Sequence, residues 1–401
     1  NVDLSKYYAF VINDIPFESL ANSLSNVKNY VSDEIGLLVV GGINSYDLGN
    51  YKDSEIESIL PVNVAVAKEK EDQILNIILA IDISGSTEAG FGIGTIADVE
   101  KAIAVSVIEN LKSTHNVGVV AFNNKYYVVS ELSPLADKKA DLIDKVLKLK
   151  RFGNSYLPVG LNKSIDMLLQ TPGGRNVIVF SDGRSGGLGE AIAVTKLAVD
   201  NGIKIYGIGV GNYCQGDLSL LPYKEREKCK KLRETGIYGL EYIKKVVEAG
   251  NGIYFEGEEV PQKIKILFGS LEEGEKKDNY PLFVLDNNHF ITNGLSLSGR
   301  VFGFNNVVPK NTGKLLVSTD TGEPIVVVWR YGLGRAASLA TDDGKKYAGE
   351  LLDKENSLLI TRTLNWVIGD PERKSEHFID IPDTALNKST EVKVKSLLEP
   401  S

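Results

Sequence analysis

Apolar runs of strand length alternate with helically spaced apolar positions along most of the chain, the pattern of α/β layers on a mostly parallel sheet. The middle shows it best. Residues 74–81 (ILNIILAI) form a continuous run, apolar but for Asn76, which predicts a central strand covered on both faces. Helical periodicity follows over 96–112, and the runs 117–122 and 126–132 flank a short connection that predicts a hairpin. Helices are expected over 137–149 and 157–170, and a buried strand over 176–181. A helix over 188–201, stopped by Gly202, precedes a strand over 203–210. Residues 240–250, 252–255 and 260–272 then read as helix, strand and helix. Together these make one Rossmann-like three-layer domain over 68–274.

The flanks alternate in the same way, but each is too short to bury a sizeable core alone. Residues 8–13 read as a buried strand, 17–32 as a helix and 36–40 as a strand, followed by a glycine-rich turn and a helix over 54–60. On the C-terminal side strands are expected over 314–319, 324–330 and 335–340, then a helix over 346–367 carrying Trp366. Joined, 1–67 and 275–370 make a second, discontinuous α/β domain interrupted by the middle one, with charged crossings at 67–72 and 272–278. The polar tail 371–401, with a strand pattern over 391–396, is a linker or the start of a truncated further domain.

Composition narrows the function classes. The chain has 401 residues, 43% hydrophobic and 24% charged, as in ordinary globular proteins. No run approaches the ~18 apolar residues of a membrane span. Lys and Arg number 45 against 53 Asp and Glu, a formal charge of −8, which argues against nucleic acid as a partner. The chain begins at Asn1 and enters a strand pattern almost at once, so a fragment or processed product is expected, with any leader or anchor outside it. Cys214 and Cys229 lack zinc-site spacing. Paired, they would close a loop of about 15 residues, worth about 3 kcal/mol, and favour an oxidising compartment. Two free thiols fit the sequence equally well.

The candidate chemistry sits at strand ends, where open parallel sheets place their ligands. The first buried strand of the middle domain runs into Asp82-Ile83-Ser84-Gly85-Ser86. Another ends in Ser181-Asp182-Gly183, and the loop 151–155 offers Ser155 just before a helix. Oxygen ligands from Asp82, Ser84, Ser86, Ser155 and Asp182, without His or Cys, suit a hard cation: Mg²⁺, or Mn²⁺ or Ca²⁺. The plainer reading is that these are turn and cap residues.

This constellation resembles the von Willebrand factor type A (VWA) domain and its metal-ion-dependent adhesion site, an Asp-x-Ser-x-Ser strand end with a distant Thr and a distant Asp. The matching residues are Asp82, Ser84, Ser86, Ser155 and Asp182, with Ser155 standing where the family usually has Thr. The resemblance implies serines that bind the ion directly and aspartates that act largely through water. An open position then receives an acidic residue of a protein partner. The implied function is a non-catalytic, divalent-metal-dependent adhesion or assembly module, carried on a membrane-tethered, extracytoplasmic fragment of unspecified oligomeric state.

The flanks resemble the class I glutamine amidotransferase-like domain through Asp14, residues 36–42 (GLLVVGG), 305–310 (NNVVPK) and 331–342 (YGLGRAASLATD). That chemistry needs an activated Cys. The turn Gly41-Gly42-Ile43-Asn44-Ser45 has none, and His115, His289 and His377 are scattered. An amidotransferase fold without its chemistry is expected. The alternatives are a hydrolase or amidase using another nucleophile, Ser45 being the candidate, and a scaffold whose metal set is vestigial. The glycine-rich stretch 90–94 lacks the Lys-Ser/Thr of a phosphate-binding loop.

Overall fold

The computed structural model describes residues 6–20, 24–64, 74–85, 90–91, 94–210, 223, 226–227, 229–230, 239–256, 260–269, 278–353, 355–369, 377–380 and 393–396. In chain order the strands are β1 Ala9–Asn13, β2 Gly36–Val40, β3 Val62–Val64, β4 Leu75–Asp82, β5 Gly90–Phe91, β6 Gly94–Thr95, β7 Asn116–Phe122, β8 Tyr126–Pro134, β9 Gly174–Ser181 and β10 Ile203–Gly209. They continue as β11 Asn251–Phe255, β12 Tyr280–Val284, β13 Arg300–Val301, β14 Val307–Pro309, β15 Lys314–Thr319, β16 Pro324–Tyr331, β17 Gly334–Leu339, β18 His377–Asp380 and β19 Lys393–Ser396.

The inner sheet has six strands in the order β11-β10-β9-β4-β7-β8, all parallel except the β7–β8 hairpin. Its central strand explains the apolar run at 74–81. Ile77, Leu79 and Ile81 of β4 share a core with the helices Ile96–Asn110, Lys139–Leu147 and Val260–Phe268. Ile78 and Ala80 share another with Leu157–Leu168, Leu188–Asp200 and Leu240–Ala249. Alternate side chains therefore enter opposite layers, and neither face of the strand meets water. The fold class is α/β with a Rossmann-like inner sheet.

The outer sheet has seven strands in the order β1-β2-β17-β16-β15-β12-β13 and so draws on both ends of the chain. The β1–β2 and β2–β17 pairs are parallel; the other pairs are antiparallel. Leu38, Val326, Val328 and Leu339 pack with Leu359 and Val367 of the helix Leu358–Ile368. Leu37, Val39 and Val327 pack in the other core with Val31, Tyr46 and Ile59. The two sheets touch where Lys204 of β10 donates to the Gly313 carbonyl at 2.8 Å.

Three expectations need correction. The first strand is not buried: β1 is the outermost strand, paired only with β2, and Val11 is 52% exposed. The helix expected over 17–32 is described as two pieces, Phe17–Leu20 and Leu24–Ser32. The helix expected over 346–367 begins only at Leu358, after a short 3₁₀ turn Gly349–Leu352. Its cause is Asp342, whose carboxylate accepts the backbone N–H groups of Gly344, Lys346, Tyr347 and Ala348. Gly349, at φ +52°, then takes a conformation that glycine alone adopts cheaply. In the tail, β19 pairs antiparallel with β18, a strand not foreseen.

Candidate functional site

Asp82 is the last residue of β4 and is completely buried. One carboxylate oxygen, Oδ1, accepts the Ser84 amide at 2.9 Å; the other accepts the hydroxyls of Ser155 at 2.7 Å and Ser181 at 2.9 Å. The 151–155 loop is fastened across the top of the sheet by Phe152 N–H to the Ile83 carbonyl and Gly85 N–H to the Gly153 carbonyl, both 2.9 Å. Ser155 bridges to Ser185, whose hydroxyl accepts the Leu157 amide at 2.7 Å where the next helix starts. Asp182 follows β9, is 1% exposed and accepts the Arg184 amide at 2.9 Å, with Arg184 Nε 3.4 Å from Oδ2. Gly183, at φ +76°, holds this turn, and a Cβ there would collide with the Gly239 carbonyl.

Asp82, Ser84, Ser155 and Asp182 thus gather at one end of the inner sheet, while Ser86 lies outside the described residues. Sequence reasoning missed Ser181, although it stands directly before Asp182 at a strand end. It also missed the buried pair Glu100–Arg151, 2.9 Å apart, in which the guanidinium reaches on to the Ala97 carbonyl. A glutamate on the core-facing side of the 96–110 helix was the available signal.

The electrostatics are those of crowded negative charge. Burial, and then the charge of Asp182, push the Asp82 carboxyl up to about 6, against the opposing hydrogen bonds of Ser155 and Ser84. Glu100 is raised well above its usual range by burial and by Asp82, with Arg151 opposing. Among the described residues no three His, Cys, Asp or Glu side chains group as a metal cage. Any ion here would be held by two carboxylates together with hydroxyls. That donor set fits a hard divalent cation, which would relieve the repulsion between Asp82 and Asp182.

The outer sheet presents a second set of strand ends. Asp14, after β1, accepts the Asn44 amide at 2.7 Å and its side-chain N–H at 3.1 Å. Asn305 ties the Gly41-Gly42 turn through the Gly42 amide and carbonyl, both at 2.9 Å. Ser45 is completely buried, with its hydroxyl toward the Gly42 carbonyl at 3.5 Å. Of the described histidine side chains, His115 accepts the Leu75 amide at the start of β4, and His289 lies against Trp366. Cys229 is buried and disulfide-bonded, while Cys214 lies outside the described residues.

The family model of the von Willebrand factor type A domain matches residues 76–228, and the chain contains a VWA domain there. No curated protein matches the chain. Among solved structures, the conserved hypothetical protein BatB from Bacteroides thetaiotaomicron is 17% identical over 48% of this chain and 95% of that one, with a TM-score of 0.38. The PilB minor pilin from Streptococcus sanguinis is 15% identical over 48% of this chain and 60% of that one, TM-score 0.36. A von Willebrand factor type A protein from Catenulispora acidiphila is 14% identical over 67% of each chain, TM-score 0.37.

Proposed function

We propose that the VWA unit, residues 68–274, is a non-catalytic protein-binding module that grips an acidic residue of its partner through a divalent cation. Asp82, Ser84, Ser86, Ser155 and Asp182 would hold Mg²⁺, or Mn²⁺ or Ca²⁺, and the ion would supply a Lewis-acidic position for the incoming carboxylate. The observation that carries this reading is the burial of Asp82 beside a second buried carboxylate, Asp182, at the carboxyl end of a parallel sheet. Two carboxylates balance a divalent ion. The Arg184 guanidinium beside Asp182 then tips the sum to positive, which favours an anionic partner.

In the same reading, 1–67 and 275–370 form an amidotransferase-like unit without catalysis, into which the VWA unit is inserted. Support comes from the buried Ser45 and from a Gly41-Gly42 turn closed by Asn305. A location outside the cytoplasm is supported by the disulfide at Cys229. Among the described residues no helix is long and apolar enough to cross a membrane.

Thermal unfolding of the protein in Mg²⁺ and in chelator tests the metal. Saturation at about 100 times Kd adds about 2.7 kcal/mol, and Asp82→Ala abolishes that gain. A parent protein that melts identically in both solutions refutes the reading.

A further inference from the structure

Three aromatic side chains stand out of the protein immediately beside the carboxylate site. Tyr126 is 52% exposed, Tyr127 38% and Phe152 50%. Elsewhere the large aromatic residues of this sheet are taken inside: Phe122, Phe180 and Phe255 are all buried. Tyr127 and Phe152 meet edge to face with centroids 5.9 Å apart, while Tyr126, the preceding residue of the strand, points to the opposite face of the same edge, where Lys163 Nζ lies 5.8 Å from its ring. Clustered exposed rings of this kind mark contact surfaces more often than scattered ones do.

The cluster is rigidly coupled to the site. Phe152 precedes Gly153, whose carbonyl accepts the Gly85 amide; its own amide donates to the Ile83 carbonyl, and its carbonyl accepts the Asn123 side chain at 2.9 Å. Tyr126 and Tyr127 begin β8, opposite Phe122 and Ala121 of β7, at the same end of the sheet as Asp82. Because β8 is the outermost strand, the rings sit on an open edge. Lys125 at the hairpin tip and Lys163 add positive charge, on a chain whose formal charge is −8. The local surface is aromatic and basic where the protein as a whole is acidic.

We infer that Tyr126, Tyr127 and Phe152 form a second contact for the partner whose acidic residue reaches the carboxylate site. This rests on the metal-mediated reading above. The occupant is an extended protein segment with an acidic residue and, about three positions away, an aromatic or large aliphatic one. The spacing follows from the sheet: β8 lies two strands from β4, about 10 Å at ~4.8 Å per strand, and an extended chain advances about 3.3 Å per residue. The acid alone gives little sequence selectivity. The apolar side chain among the rings supplies it.

A selection from a random-peptide display library on the full chain, with Mg²⁺ and with chelator, tests this. The parent should enrich, only with Mg²⁺, peptides with Asp or Glu and an aromatic or large aliphatic residue about three positions apart. Those peptides should bind a Tyr126→Ser/Tyr127→Ser/Phe152→Ser variant at least tenfold more weakly while keeping their Mg²⁺ dependence. Phe152→Ser alone should lose part of that affinity, and an unchanged Mg²⁺-dependent melting shift shows that either variant is folded. Enrichment of acidic peptides without an apolar neighbour, or equal affinity for parent and variant, overturns the inference and leaves the metal reading standing. The absence of any Mg²⁺-dependent enrichment overturns both. A parent that dimerises in sedimentation, with a monomeric variant, gives the rings to a second copy of the chain and also overturns it.

Discussion

The two sheets each gather aspartates at their carboxyl ends, and they treat them in opposite ways. In the outer sheet Asp342 accepts four backbone N–H groups, and Asp14 binds the amide and side chain of Asn44. Asp47 is bound by the Asn306 amide and by the side chains of Asn305 and Asn306. These carboxylates are answered by the protein's own N–H groups and serve as turn anchors. In the inner sheet Asp82 receives one amide and two hydroxyls but faces Asp182 in a dry setting, and its proton affinity rises accordingly. A strand-end carboxylate is therefore a site only where its charge is left for something else to balance.

Breaking an anchor should cost most. Asp342→Ala removes the charged acceptor of four backbone N–H groups, that of Ala348 buried, and is expected to lower the unfolding free energy by about 3–5 kcal/mol, read by denaturant titration. If the loss is under about 1 kcal/mol, the outer carboxylates are not anchors and the contrast fails.

Acidity should act on the inner sheet with two opposite signs. His115, held near 4 by burial and by Lys112, stays neutral when folded, so the unfolded chain takes up the proton first and stability falls as pH drops from 6.5 toward 4. Between pH 7 and 5 this amounts to about 2 kcal/mol. Asp82 has a folded value of about 6, above its value of 3.8 when free. Here the folded chain takes up the proton first, so between pH 5 and 7 about 1 kcal/mol of stability is lost as pH rises through 6. In chelator, His115→Gln should flatten the acid loss and Asp82→Asn should steepen it. Two variants with the parent's pH profile would contradict both assignments.

The smallest expected effect is the most pointed. Asp182→Asn removes a like charge from Asp82 while keeping an acceptor for the Arg184 amide. In chelator it should stabilise the protein by about 1 kcal/mol, and in Mg²⁺ it should lose the metal-dependent shift. Destabilisation in chelator would mean that Asp182, like Asp342, is an anchor.

Much of this was legible from the chain. The run at 74–81 could only be a central strand, and its end delivered Asp82 and Ser84 to the site. What local pattern could not show was lateral position. Residues 8–13 carry the same apolar signal as an inner strand, yet β1 has a neighbour on one side only. The helix expected from 346 fails because a carboxylate four residues earlier captures its first amides, a competition invisible to periodicity. Ser181 and Glu100 escaped for a related reason: each matters through a partner from a distant loop or strand, Asp82 or Arg151. Tyr127 and Phe152 lie 25 positions apart with no shared local pattern, and only the assembled edge brings them together.

The interleaving of the outer sheet has a mechanical consequence. Because β2 and β17 are neighbours while every strand of the inner sheet lies between them in the chain, the inner sheet hangs from the outer one by two covalent leads. Were a partner captured as proposed, its tension would divide between both leads, and severing either one would leave the load still tethered by the other.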